Sequence, residues 1–438
     1  VNGTQKTKVG MVGMGTVGSG VARLLLEYGD RTGEHAGRPL WLQHVVVQDV
    51  AKSRDVQLPA GVLSSDLNRI LNDPEISVVA LLMGGLEPAR TITLKLLEAG
   101  KDIVTANKAL IAEHGAELFD RARELGRTIA FEASVAGGIP IIANISTCLV
   151  ANQIESIHAI LNGTSNFILT QMEATGASYA DAVAEAQKRG YAEADPSMDV
   201  DGTDAAQKLG ILSHLAFGAQ VPWQEIPRRG IDTLDVDDIR YAKELGYRIK
   251  LLAVAQLVAG GLELHVSPTL VKIGTPLAEV RGAFNAVRIA GDAVGPVFYL
   301  GLGAGQMPTA SAVVADLIDT AVGRAAITFK LLELWSSHKP RVMPSEFADV
   351  TGRYYLRFMV EDRPMVLAEI CGVLGKHGVS IASVIQHEAE ATASGTVALV
   401  PLVIMTHTTT EGQTRAAFAE IEKLACRRGT GVRMRVHN

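Results

Sequence analysis

A chain of 438 residues that is 47% apolar and 20% charged is long enough for two or three globular domains with ample cores. A net charge of -6 without a basic stripe argues against a nucleic-acid partner, and the longest apolar runs, such as VALVPLVIM at 397–405, fall far short of a membrane span. Cys148, Cys371 and Cys426 lack CxxC spacing, which excludes a disulfide framework or a zinc site.

They read as buried thiols of a reducing compartment, and the polar start VNGTQKTK carries no secretory pattern, so a cytoplasmic protein is expected. The chain then runs TKVGMVGMGTVGSGVARLLLEYG: a short apolar strand, a glycine turn and a helix with apolar residues at helical spacing. Gly13, Gly15 and Gly18 form G-x-G-x-x-G between strand and helix. Alone the hexapeptide is weak; in this position it points to a dinucleotide fold. Gly13 permits the tight turn, Gly15 lets backbone approach a pyrophosphate, and Gly18 allows close helix–strand packing. The phosphates then sit on free N–H groups of the helix start, at Thr16 and Val17.

The next strand, LQHVVVQDV, ends at Asp49, further from the glycines than the usual spacing of about 20 residues. Asp49 suits the ribose hydroxyls of NAD, whereas Lys52 and Arg54 suit the extra phosphate of NADP; both readings stand. A helix near 64–72, strand ISVVALLMGG, helix PARTITLKLLEAG, strand DIVTA, helix ALIAEHGAELFDRAREL and strand TIAFEASV continue the alternation, which means a parallel sheet. Chemistry in such sheets gathers at the C-terminal strand ends. Lys108, after IVTAN, and Glu132, in FEASVAGGIP, stand there.

From about 141 the texture becomes α+β: a long helix IPIIANISTCLV, then strands SIHAILNG, LLAVAQLV and LELHVSP mixed with helices. The stretch GDAVGPVFYLGLGAGQMPTASAVVADLIDTA reads as a loop followed by a helix. After Pro344, strand, helix, strand, strand and a last strand GTGVRMRVHN give βαββαβ, the ferredoxin-like arrangement.

The densest chemistry lies in GYAEADPSMDVDGTDAAQKLG, residues 190–210, where Glu193, Asp195, Asp199, Asp201 and Asp204 precede Lys208. A calcium loop aligned on Gly202 places Asp199 and Asp201 correctly, but puts Lys208 where a bidentate Glu is required. That reading fails. An acidic turn that caps helix starts remains, as does a site that grips an ammonium group and moves protons. On a helix, Asp204 and Lys208 stand one turn apart on one face.

With these residues in hand, the chain resembles the homoserine dehydrogenases. The likeness rests on GMGTVGSG, TANKAL at 105–110, FEASVAGGIPII at 131–142, LNGTSNFIL at 161–169, the acidic stretch, and GAGQMPTAS at 303–311, in that order over nearly the whole chain. The C-terminal part resembles an ACT regulatory module, with DRPMVLA at 362–368 for the DRPGxLA signature and Met365 in the place of its glycine. The likeness is to the monofunctional kind, without a leading kinase. It implies an α/β fold of three parts: a Rossmann-type parallel-sheet domain at 1–140, completed by a helix at about 306–335; an α+β substrate, catalytic and dimerisation domain at 141–305; and a ferredoxin-like ACT domain at 350–438.

The resemblance further implies reversible hydride transfer between L-homoserine and L-aspartate 4-semialdehyde, in threonine and methionine biosynthesis, with NAD or NADP. Lys208 corresponds to the catalytic lysine, and Glu193, Asp199 and Asp204 to substrate positions. Lys108 matches an active-site lysine at the nicotinamide end, and Gly305 a glycine that closes over the cofactor. Glu132, with the carbonyls of Val135, Gly137 and Ile139, matches a monovalent-cation site; read from residue type alone, Glu132 equally suits capping of backbone N–H groups. A homodimer or homotetramer and a threonine effector are implied as well. A phosphorylating semialdehyde dehydrogenase would need an activated cysteine, and Cys148 within STCLV reads instead as a buried structural thiol. A non-enzymatic amino-acid sensor would require neither lysine.

Overall fold

The computed structural model describes residues 6–332, 342–387 and 398–437. In chain order its strands are β1 (Thr7–Val12), β2 (Leu40–Val46), β3 (Leu63–Ser64), β4 (Ile76–Leu81), β5 (Asp102–Thr105), β6 (Ile129–Ala130), β7 (Ile154–Ile160), β8 (Tyr247–Val258), β9 (Gly261–Lys272), β10 (Phe284–Gly291), β11 (Gly295–Leu302), β12 (Thr351–Glu361), β13 (Ile381–Gln386), β14 (Leu399–Thr406), β15 (Thr409–Thr410) and β16 (Arg427–His437). The chain divides into two compact units. One comprises residues up to Glu155, Ala206–Glu225 and Phe284–Met343; the other comprises Ser156–Ala205, Ile226–Ala283 and the chain from Pro344 onward.

In the first unit the strands lie in the order β3-β2-β1-β4-β5-β6, all parallel. Parallel strands covered on both faces carry continuous apolar runs. Val9, Met11, Val78, Val79, Ala80, Ile103 and Val104 are accordingly buried. The strand order reverses between β1 and β4, and in such sheets the crevice at that switch point receives the ligand. The helix Gln306–Ala321 returns late in the chain, and its Ala310, Val313 and Leu317 join Val21 and Leu24 of the helix Thr16–Glu27 in one core. Each fully buried Val or Leu there contributes roughly 1.5–3 kcal/mol. The single helix expected over about 306–335 is instead two. Gln306–Ala321 ends before Gly323, whose φ is +84°, and a separate helix runs Arg324–Leu332, beyond which the expectation lies outside the described residues.

Two further sequence expectations are corrected in this unit. The helix expected over IPIIANISTCLV is present but shorter, one α-helical turn at Ile141–Ala143 that runs on as a π-helix, Asn144–Cys148, and Cys148 is exposed instead of buried. The expected loop within GDAVGPVFYLGLGAG is an antiparallel hairpin of β10 and β11, with Gly291 opposite Gly295.

The second unit holds the strands β7-β8-β9-β16-β12-β14-β13 in one mixed sheet. Its last four, with the helices Val366–Lys376 and Glu411–Ile421, form the βαββαβ module around Tyr354, Leu356, Phe358, Ile370, Leu374, Leu402, Ile404 and Ile421. β16 pairs antiparallel with β12 and parallel with β9, where Arg435 faces Thr269. One strand therefore belongs to the C-terminal module and to the sheet before it. A buried ion cluster adds a second tie. Arg357 of β12 donates from Nε to Asp238 Oδ1 at 2.7 Å, and from Nη2 to Asp238 Oδ2 at 2.9 Å and Asp235 Oδ2 at 2.7 Å. Both aspartates belong to the start of the helix Val236–Glu244. Among the described residues no helix is long and apolar enough to cross a membrane.

Candidate active site

The glycine turn takes the shape its residue types require. Gly13 has φ +94°, and a side chain there would press on the Leu82 carbonyl oxygen at 2.8 Å. A Cβ on Gly18 would lie 2.5 Å from the Gly13 oxygen, whereas one on Gly15 would meet nothing within 4 Å. Gly15 is the N-cap of Thr16–Glu27 and has no side chain with which to cap it. The helix N–H groups at Thr16 and Val17 thus face an approach that is open at Gly15, as anion binding at a helix start requires. Gly305, with φ +118°, is the N-cap of Gln306–Ala321, and the Gln306 oxygen would lie 2.8 Å from a Cβ on Gly20. The Gly305 turn is thereby set over the opening turns of the first helix.

Beyond β2, Asp49 Oδ1 accepts the N–H groups of Ala51 at 2.8 Å and Lys52 at 3.3 Å. Arg54 donates to the carbonyl oxygens of Asp49 at 2.6 Å and Lys52 at 2.7 Å. The loop closes on itself beside a cleft of about 350 Å³ lined by Lys52, Arg54, Gly61 and Leu63.

After β5, Asn107 caps the helix Lys108–Glu124 by accepting the Leu110 N–H at 3.0 Å. Its amide donates to the Met83 and Gly85 carbonyl oxygens at 3.1 and 2.7 Å. Half-buried Lys108 is consequently the first residue of a helix tied to the loop after β4.

Glu132 opens a short turn after β6 and is buried. Its two carboxylate oxygens accept the N–H groups of Ile142 at 2.9 Å and Ala143 at 2.7 Å, so it caps the turn that follows Pro140. Its own N–H donates to Asp316 Oδ2 at 2.9 Å. Burial pushes the Glu132 carboxyl up to about 7, against those N–H donors. Desolvation and the Glu132 charge hold half-buried Asp316 well above the usual carboxylate range. Val135 and Ile139 are buried in the loop between, and a Cβ on Gly137 would crowd the Gly303 oxygen at 3.0 Å. Among the described residues no group of three or more His, Cys, Asp or Glu side chains could hold a metal ion. Any cation at this loop would rely on backbone carbonyls.

The acidic stretch sorts into three kinds of carboxylate. Asp195 accepts the Ser197 N–H at 3.0 Å and Asp201 accepts the Thr203 N–H at 2.7 Å: both are local backbone caps. The hydrogen bond from the Ser197 hydroxyl draws the Asp195 carboxyl below its ordinary range. Glu193 is exposed, in a loop whose carbonyl oxygens at 193 and 194 accept from Gln187. Asp199 and Asp204 come together on one neutral side chain. The Asn162 amide donates to Asp199 Oδ1 at 2.7 Å and to Asp204 Oδ2 at 2.9 Å. Asp204 and Lys208 are both buried and stand one turn apart on the helix Thr203–Phe217.

Sequence reasoning missed Asn107, Asn162 and Asp316. A signal existed for the first two: an Asn directly before a helix is a preferred N-cap. For Asp316, mid-helix among apolar residues, there was none.

The profile described as homoserine dehydrogenase matches residues 140–318, its NAD-binding domain matches 13–132, and the ACT domain matches 354–426. The homoserine dehydrogenase of Synechocystis is 42% identical over 95% of this chain and 96% of its own length. That of Pseudomonas aeruginosa is 42% identical, over 98% of each chain. The crystal structure of a homoserine dehydrogenase from Thiobacillus denitrificans aligns with a TM-score of 0.90 and 41% identity, covering 100% of this chain and 99% of that one.

Proposed function

The chain belongs to the homoserine dehydrogenase family, oxidoreductases with an NAD-binding domain and here a C-terminal ACT domain, and from that premise we propose how its own residues carry the reaction. The substrate pair is L-homoserine and L-aspartate 4-semialdehyde. When bound, the nicotinamide cofactor takes or returns the hydride at the alcohol carbon. The chain supplies anions for the substrate ammonium and a proton carrier for the substrate oxygen. Lys208 carries that proton, giving it to the forming alkoxide in reduction and taking it from the hydroxyl in oxidation. Asp204, one turn earlier, orients the lysine amine; Asp199 and Glu193 face the ammonium group. Lys108 polarises the reacting oxygen or a nearby carboxylate. The observation that supports this reading is the sorting of the acidic stretch, in which Asp199 and Asp204 meet on the Asn162 amide and Asp204 precedes buried Lys208 by one turn of the same helix.

The cofactor rests on Gly13, Gly15, Thr16, Val17 and Gly18, with Gly305 closing over it. Asp49 already holds its own loop, and the neighbouring cleft carries Lys52 and Arg54. NADP is therefore the preferred cofactor, and Arg54→Ala lowers the ratio of kcat/KM for NADP to that for NAD. A sodium or potassium ion fits the Glu132 loop, because a bound cation would favour the ionised form that burial disfavours at Glu132 and at half-buried Asp316. The carbonyls of Val135, Gly137 and Ile139, with Glu132, would hold it, and it would offset charge and stiffen the loop. Melting in sodium or potassium chloride against choline chloride tests this.

The ACT module takes threonine as effector. Because β16 also pairs with β9, deleting the module would strip an edge from the preceding sheet. Threonine is therefore titrated against the full chain. Exposed Phe284, Leu300 and Leu302 on the β10–β11 hairpin form an apolar edge suited to a second copy of the chain in a cytoplasmic homodimer or homotetramer. Steady-state assays with homoserine and each cofactor, with and without threonine, test the whole reading. No turnover of homoserine with either cofactor would overturn it.

A further inference from the structure

Asn162 precedes the helix Gly163–Thr175 and is buried, with 5% of its surface exposed. Its carbonyl oxygen accepts the Ser165 N–H at 2.8 Å, capping the helix. Its NH2 group reaches the other way, to Asp199 and Asp204 at 2.7 and 2.9 Å. A carboxylate can only accept, and an amide has two N–H donors. The group therefore matches one donor to each carboxylate. Two like charges sharing a site raise each other's pKa and repel. A neutral double donor offsets that repulsion and fixes both carboxylates without cancelling their charge.

The seat of this amide is held from several sides. Thr164 donates to the Tyr191 carbonyl at 2.7 Å and Ser165 donates to the Asp199 carbonyl at 2.6 Å, so the same helix turn grips both ends of the acidic loop. One residue on, Asn166 donates to the Gly282 oxygen at 2.9 Å and accepts from Lys250 at 3.1 Å. Lys250 is buried within β8 and also donates to the Val280 oxygen. Polar groups bound on every side in a buried position define one geometry. The turn Asn162–Asn166 is a rigid mount.

We infer that Asn162 is the positioning residue of the substrate site: it holds the Asp199 and Asp204 carboxylates side by side while capping the helix that carries it. This rests on the reading of those two acids given above. Capping and positioning separate by substitution, because Asp caps a helix start as well as Asn does but has no N–H to donate. Asn162→Asp should keep cofactor affinity near that of the parent and lower the melting temperature at neutral pH, a loss that shrinks as pH falls and the added carboxylate is protonated. Its kcat/KM for homoserine should fall about 10- to 100-fold, the range for losing hydrogen bonds to charged groups. The acid limb of its pH profile should move to higher pH, since a third carboxylate makes the cluster harder to ionise. The charged groups around the amide are Asp199, Asp204, Lys208 one turn beyond Asp204 and, behind the mount, Lys250.

Asn162→Ser, which caps but cannot serve two carboxylates, provides a second variant should Asn162→Asp not fold. It should show a loss of similar size with a smaller displacement of the acid limb. Asp199→Asn and Asp204→Asn are measured alongside. If those two lose homoserine kcat/KM while whichever folded Asn162 variant retains it and its pH profile, the positioning role is overturned and Asn162 is only a cap. If Asp199→Asn and Asp204→Asn themselves leave kcat/KM unchanged, the failure lies with the acids' assignment, and the positioning role falls with it.

Discussion

Two buried clusters in the second unit use the same kinds of side chain to opposite ends. Around Arg357, a guanidinium takes Asp238 through two nitrogens and Asp235 through one, and the Tyr355 hydroxyl donates to Asp238 at 3.1 Å. Burial pushes the Asp238 carboxyl up and Arg357 pulls it down, while the Asp238 contact holds the guanidinium firmly protonated. That network balances charge with charge and joins a helix to the C-terminal module. Around Asn162, two carboxylates are held by an uncharged amide. The amide brings the two carboxylates together without adding a charge of its own. The contrast teaches that a guanidinium brings acids together by pairing its charge with theirs, whereas an amide does so by donors alone.

The comparison breaks first at the lysine beyond the amide-held acids. Lys208→Ala should lower turnover by about 100-fold or more, the scale of general acid–base catalysis, with cofactor affinity near that of the parent chain in fluorescence titration. Equal turnover would remove its role as proton carrier.

On the structural side, Asp238→Ala leaves a buried guanidinium without its main partner and should destabilise the second unit by about 3–5 kcal/mol in denaturant melts. Replacing Arg357 and Asp238 together by apolar side chains should recover most of that loss. No such recovery would mean that the cluster is not an exchangeable structural pair.

The smallest effect belongs to Met365. It adopts φ +76° at the N-cap of Val366–Lys376, with 68% of its surface exposed. The left-handed backbone explains why the ACT signature carries glycine there. Met365→Gly should raise stability by roughly 1 kcal/mol by relieving that strain. A loss of stability would show that the Met365 side chain makes a contact worth more than the strain.

Much of this was legible before the structure. The first unit announced itself because its glycine turn sits between a strand and a helix, and because parallel strands are written as plain apolar runs. The βαββαβ module was legible from the same alternation. The β10–β11 hairpin was hidden because its glycines, at 291, 295, 301 and 303, read as loop punctuation. One of them is a packing requirement: a Cβ on Gly303 would collide with the Asn285 amide at 1.9 Å. The helix after Pro140 was overestimated because nothing local marks its change to a π-turn at Asn144.

The acidic stretch was the harder case, since five carboxylates look alike in sequence. A finer reading was available. Asp195 and Asp201 each stand two residues before a Ser or Thr at a helix start, the pattern of an Asx turn, and both cap backbone. The pairing of Asp199 with Asp204 through Asn162 spans more than thirty residues and had no local signal.

The central claim, that this stretch divides into caps and substrate-directed acids, is tested most directly by replacing its carboxylates one at a time with the matching amide. The measurement is kcat/KM for homoserine beside the melting temperature. Asp199→Asn, Asp204→Asn and Glu193→Gln should each lower kcat/KM by about tenfold or more, with Glu193→Gln acting mainly through a higher KM, while Asp195→Asn and Asp201→Asn should leave it within about twofold and shift melting slightly, because Asn caps as Asp does. An equal loss across all five, or none in any, would contradict the division.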